Sequence, residues 1–107
     1  MSADWEKIRT MPECYHVIVR DNYHYQDEDE AYVITGFVTD AEALAKCREI
    51  VERDLESNAE PGRTAEGIFE YYKMFGDDPS IVSPKDKPSV PFSGWAYAKE
   101  QAHRFVR

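Results

Sequence analysis

Cysteine occurs only twice in the 107 residues, at Cys14 and Cys47, and glycine only five times. Two thiols are too few for a disulfide framework, and they read as small buried hydrophobes. The glycines, at 36, 62, 67, 76 and 94, form no G-x-G-x-x-G and no glycine-rich loop ending in G-K-[ST]. Neither dinucleotide binding nor a phosphate loop is therefore signalled. C-x-x-C, H-E-x-x-H and G-x-S-x-G are missing as well, so the chain carries no familiar redox, zinc-hydrolase or serine-hydrolase signature. Apolar runs are short. The longest aliphatic one is Val17-Ile18-Val19, against the ~20 residues that span a bilayer. The opening MSADWEKIRT carries acids and no apolar stretch, unlike an export signal, which makes the cytoplasm the expected compartment. Cations are also in deficit, 13 Lys and Arg against 21 Asp and Glu, for a net charge of −8. Phosphate backbones and anionic membranes need clustered cations, so neither is expected as a direct partner.

What is present suits one folded domain over residues 1–107. Hydrophobic residues make up 42% of the chain and aromatics 13%, and a chain of this size buries roughly 65% of its unfolded surface without staples. Cys14–Arg20 (CYHVIVR) and Ala31–Thr39 (AYVITGFVT) are rich in β-branched and aromatic residues and read as strands. In the first, Tyr15, Val17 and Val19 share one face and Cys14, His16, Ile18 and Arg20 the other. Both faces are partly apolar, as in a strand that is central or covered on both sides. Gly36 in the second suits a bulge or a close neighbour. Together the two read as an antiparallel hairpin.

Helical patterns follow. Thr39 with Glu42 forms a capping box, and Ala41, Leu44, Cys47, Val51 and Leu55, widened by Ile50, recur at helical spacing. That helix should end near Ser57–Asn58, with Glu42–Lys46 and Glu49–Arg53 as i,i+4 pairs. A second helix is expected between Thr64 and Gly76, with Ile68, Tyr72 and Phe75 as its stripe, Gly76 as a left-handed cap and Pro79 preventing resumption. Ser80–Val82 suits a short third strand. Pro84, Pro88 and Pro91 stiffen the next loop, and Ser93 can cap a last helix with Trp95, Ala98, Ala102 and Phe105 or Val106 inward. Residues 4–9 suit a helical turn, and Trp5 could cover the core. The expected fold is thus α+β, in the order β-β-α-α-β-α. A small antiparallel sheet packs against three helices. Two strands alone are marginal, so either Ile81–Val82 joins them or a second chain does; a homodimer would suit.

The most unusual stretch is Asp21–Glu30 (DNYHYQDEDE), in which Asp21, Asp27, Glu28, Asp29 and Glu30 meet no cation. A solvated hairpin tip that protects a sheet edge would explain the charge. A docking surface for a basic partner would explain the tyrosines too, since Tyr is enriched at interfaces. The expected partner-binding residues are therefore Asp21, Tyr23, His24, Tyr25, Asp27, Glu28, Asp29 and Glu30. The block fails as an EF-hand, because Tyr23 and Tyr25 occupy ligand positions and Tyr32 the required glycine. His16 and His24, eight residues apart, would stand about 26 Å apart on a straight strand and could not share an ion. Cys14 and His16 share a face, but nothing nearby supplies an orienting acid or oxyanion donors. His103 suits a surface position near a helix C-terminus. Tyr71, Tyr72, Phe75, Phe92 and Trp95 fit either core or a ligand groove, with core favoured.

The stretches Tyr15–Glu30 (YHVIVRDNYHYQDEDE), Phe75–Val82 (FGDDPSIV) and Pro91–Ala98 (PFSGWAYA) resemble a family of small, uncharacterised bacterial proteins. The resemblance spans roughly residues 14–102 and departs from the family pattern at Ser80 and Ala96. It implies that the acidic block and the Phe-Ser-x-Trp segment belong to one recurring design, and it carries over no catalytic residue.

The sequence therefore leads to a non-catalytic, acidic, cytoplasmic protein without a cofactor, binding a protein partner through the acidic block. A nucleic-acid mimic that competes for a basic channel is the first alternative. A metal-binding protein or small enzyme using Asp21, His24 and Asp27 is the second.

Overall fold

The computed structural model describes residues 10, 12–21 and 31–107. Two strands come first, β1 (Tyr15–Asp21) and β2 (Tyr32–Phe37), followed by the helices α1 (Asp40–Ser57) and α2 (Ala65–Phe75). Strand β3 (Asp77–Val82) and helix α3 (Gly94–Gln101) follow, and α3 runs into a 3₁₀ turn at Ala102–Phe105. The fold is α+β in the expected order. The expected helical turn at 4–9, Trp5 and the residues from Asn22 to Glu30 lie outside the described residues.

The sheet is antiparallel with β1 in the middle, in the order β2-β1-β3. The third strand thus comes from within the chain. It is longer than Ser80–Val82, because Pro79 sits inside it opposite Val19. An edge strand tolerates a residue that donates no ladder hydrogen bond. The central position of β1 explains its two apolar faces. Tyr15, Val17 and Val19 pack on Ala43, Cys47 and Ile50 of α1, while His16 and Ile18 on the other face are also buried. Between Tyr15 and Val17 the β1–β2 register slips, at a bulge that holds Gly36 at φ +93°. Side chains rarely adopt that conformation.

Helix α1 starts as its sequence dictates. The Thr39 hydroxyl accepts the Glu42 N–H at 3.2 Å, and the Glu42 carboxylate accepts the N–H groups of Val38 and Thr39. With Glu42 held in the cap, Lys46 pairs with Glu49 at 3.2 Å instead, and Arg53 joins the same carboxylate at 2.8 Å. The buried stripe is Ala43, Cys47, Ile50, Val51 and Leu55, with Ala41 turned outward. Ile50 faces the sheet. Val51 and Leu55 face a second cluster, with Ile68 and Tyr72 of α2, Ala98 of α3 and Ala102. Phe92, in the proline-rich loop, packs against both clusters.

Between α2 and β3 the chain turns on Tyr72, which is fully buried. Its hydroxyl donates to the Asp77 carbonyl at 2.7 Å. Gly76 ends the helix with φ −80° and ψ 169°, extended rather than left-handed. It is glycine for a different reason: a Cβ there would overlap the Tyr72 ring, 2.8 Å from Cε1. Phe75 leaves the stripe as the helix ends and is 50% exposed.

Two outcomes follow. Gly76→Ala should destabilise the protein by about 1–3 kcal/mol, because the overlapping ring is packed on all sides; urea denaturation measures it. Burial, with Asp78 adding to it, raises the Cys47 thiol from 9.0 to about 12. The neutral thiol's contribution is complete below 9.0 and is lost as pH climbs toward 12, since only the unfolded state then releases the proton. Native alkylation at pH 8 should therefore label the half-buried Cys14 and spare Cys47, and Cys47→Ala should flatten the alkaline fall in stability.

Candidate functional site

The stretches Phe75–Val82 and Pro91–Ala98, distant in sequence, meet in space. Asp78 of β3 points its carboxylate at the start of α3 and accepts the Gly94 N–H. The Ser93 hydroxyl accepts the Ala96 N–H at 3.1 Å, so the first turn of α3 is capped by its own serine and by a strand residue together. Gly94 is buried against this pair. A Cβ would come within 2.7 Å of Asp78 Oδ1 and closer still to the Tyr72 hydroxyl. Burial raises the Asp78 carboxyl above 3.8, opposed by the Gly94 N–H and by Arg20, its partner across the β1–β3 ladder.

Beside this junction lies a groove of about 650 Å³ lined by Lys73, Asp78, Pro79, Ser80, Phe92, Ser93 and Trp95. Trp95 was expected inward, yet it is 46% exposed. It stands at the first turn of α3, ahead of the inward residues Ala98 and Ala102, and so forms a wall of the groove. Lys73 projects from α2 on the opposite rim. Its ammonium lies 5.0 Å from the Phe69 ring centroid and 5.9 Å from that of Trp95, and pairs with Glu70 at 3.0 Å. The aromatic-rich second half therefore splits. Tyr72 is core, Phe92 is core and groove wall at once, and Trp95 is groove. Tyr71 and Phe75 pack on each other at the surface.

A second feature lies where β1 ends. The ladder sets Asp21 opposite Asp77, and the Asp77 N–H donates to Asp54 Oδ2 of α1 at 2.7 Å. Nearby, the Tyr32 phenol is raised by burial, then by Asp77 and Asp54, with Arg53 opposing. This end of the sheet is thus rich in carboxylates. Of the partner-binding residues expected from sequence, Asp21 closes β1. Tyr23, His24, Tyr25, Asp27, Glu28, Asp29 and Glu30 lie outside the described residues.

The remaining candidates separate. His16 is buried, and its Nδ1 shares a hydrogen bond of 2.5 Å with the Thr35 hydroxyl, so the imidazole is held by β2 rather than by Cys14. His103 is exposed. Among the described residues no three His, Cys, Asp or Glu side chains gather as a metal site requires, and no helix is long and apolar enough to cross a membrane. Compared with protein-family profiles, curated proteins and solved structures, the chain finds no match.

Sequence reasoning missed Asp78 and Lys73 as groove residues. Neither belongs to a motif with known chemistry. The one signal available was that Asp78 and Trp95 lie within two stretches that stand out in the sequence.

A carboxyl raised by burial favours its neutral form in the folded state. The associated stability is complete below 3.8 and declines as pH rises through the folded value. An NMR titration should place the Asp78 midpoint above 3.8, and Asp78→Asn should remove that decline while its amide oxygen still accepts the Gly94 N–H.

Proposed function

We propose that the protein is a non-catalytic binding protein that takes hold of a basic protein partner, with the acidic block Asp21–Glu30 as its leading contact. The observation that carries this reading is the concentration of like charge in the sequence. Five acids and no cation fill that block, and β1, whose last residue Asp21 opens it, pairs Asp21 with Asp77, whose N–H donates to Asp54. Like charges close together in a chain produce a directed field. Such a field steers an oppositely charged partner and raises its association rate.

Among the described residues several acids meet a cation locally. Glu49 meets Lys46 and Arg53, Glu60 meets Arg63, and Glu70 meets Lys73, all at 2.8–3.3 Å. Exposed pairs of this kind add little stability, but each offsets a carboxylate charge locally. Such pairs interrupt any continuous row of carboxylates along the helices, which favours a docking contact over the nucleic-acid mimic.

The test replaces Asp27, Glu28, Asp29 and Glu30 together by Asn and Gln. Against a partner captured from the native cell, the association rate at low salt should fall about tenfold or more and lose most of its salt dependence. An unchanged rate and unchanged salt dependence would remove the block from the contact.

A further inference from the structure

We infer that the groove between β3 and the start of α3 receives an arginine or lysine side chain of the basic partner, held between the Trp95 ring and the Asp78 carboxylate. The inference rests on the docking reading above and assigns that partner a specific anchor.

Three observations support it. The first is shape. At about 650 Å³ the groove lies within the roughly 300–1,000 Å³ of ordinary ligand sites, ample for one long side chain and its neighbours. The second is the chemistry of the walls. Trp95, Phe92 and the Asp78 carboxylate line the same groove, and a cation resting on an aromatic face beside an acid satisfies both. The Lys73 ammonium, 5.9 Å from the Trp95 ring, already illustrates that attraction at the rim. Its own charge is met by Glu70 at 3.0 Å, so it opposes an incoming cation only weakly. The third is the anchoring of Asp78. Its carboxylate is fixed by the Gly94 N–H, while a carboxylate has about four acceptor positions, of which one N–H uses one. Arg20 stands opposite Asp78 across the ladder and shares its field, so a donor from the groove would add to a carboxylate whose orientation is set before a ligand arrives. Pre-setting of this kind lowers the entropy lost on binding.

Arginine suits the site better than lysine. Its planar guanidinium stacks on indole and offers paired N–H donors to a carboxylate. The acidic block would then bring the basic segment in, and the groove would hold one residue of it.

The experiment uses the full chain carrying Trp5→Phe, so that Trp95 is the one indole. The probes are N-acetyl-arginine amide and its neutral isostere N-acetyl-citrulline amide. Their binding is followed by Trp95 fluorescence and by the NMR shift of the Gly94 amide. The arginine probe should move both signals saturably, and the citrulline probe should not. Trp95→Ala should weaken the arginine probe about tenfold, followed through the Gly94 amide, with Trp95→Phe restoring part of the loss. Asp78→Asn, which keeps the acceptor for Gly94, should weaken it comparably. A flat response to arginine, equal binding of citrulline, or binding indifferent to Trp95→Ala would each overturn the inference. The variant neutralised at Asp27–Glu30 separates the two proposals. If it loses the partner but keeps the arginine probe, both stand. If it keeps the partner at full rate, the docking reading falls, and the groove is judged on the probe alone.

Discussion

The phenol of Tyr72 holds the junction of α2, β3 and α3 together. It is fully buried, and its hydroxyl is bound to the Asp77 carbonyl. Its ring leaves no room for a side chain at Gly76, and its hydroxyl leaves none at Gly94. One side chain therefore sets where α2 stops, where β3 begins and how closely α3 approaches. A buried hydroxyl must find a partner or carry the cost of its desolvation. That requirement fixes the ring's position as firmly as packing does. The groove exists because these three segments are locked in that arrangement.

The two polar features depend on this frame differently. Asp78 has two places at once: it caps α3 through Gly94 and lines the groove. A residue with a fixed second partner cannot swing away, which suits a contact meant to be rigid. The placement of Asp21 is instead a matter of register. Pairing β1 with β3 brings Asp21 opposite Asp77, and α1 contributes Asp54. On the helices Glu49 and Glu70 meet lysine or arginine. Of the net charge of −8, the sequence places five acids and no cation in Asp21–Glu30.

Much of the fold was legible because its signals are local. The Thr39–Glu42 capping box, the Thr64 and Ser93 caps and the period of α1 each act within a few residues. The strands were legible from β-branched alternation, and the bulge from Gly36. The misreadings share one cause. Pro79 does keep α2 from resuming, but the third strand, expected from Ser80, begins at Asp77 and runs through the proline as an edge. Gly76 looked like a left-handed cap until a ring occupied the space beside it. Phe75 and Trp95 fit helical stripes, but each stands at the end of a short helix where the stripe no longer faces the core.

The sequence by itself determined which segments are helix and strand, where the helices begin, and that charge gathers between Asp21 and Glu30. Those properties follow from hydrophobic period, side-chain capping and residue counting, none of which needs a distant neighbour. Only the tertiary structure decided that Asp78, Gly94 and Trp95 share a site, that β1 is central, and that Asp54 and Asp77 adjoin Asp21. Each of these depends on contacts between residues far apart in the chain, fixed by packing around Tyr72 and by strand register. No local pattern encodes such contacts.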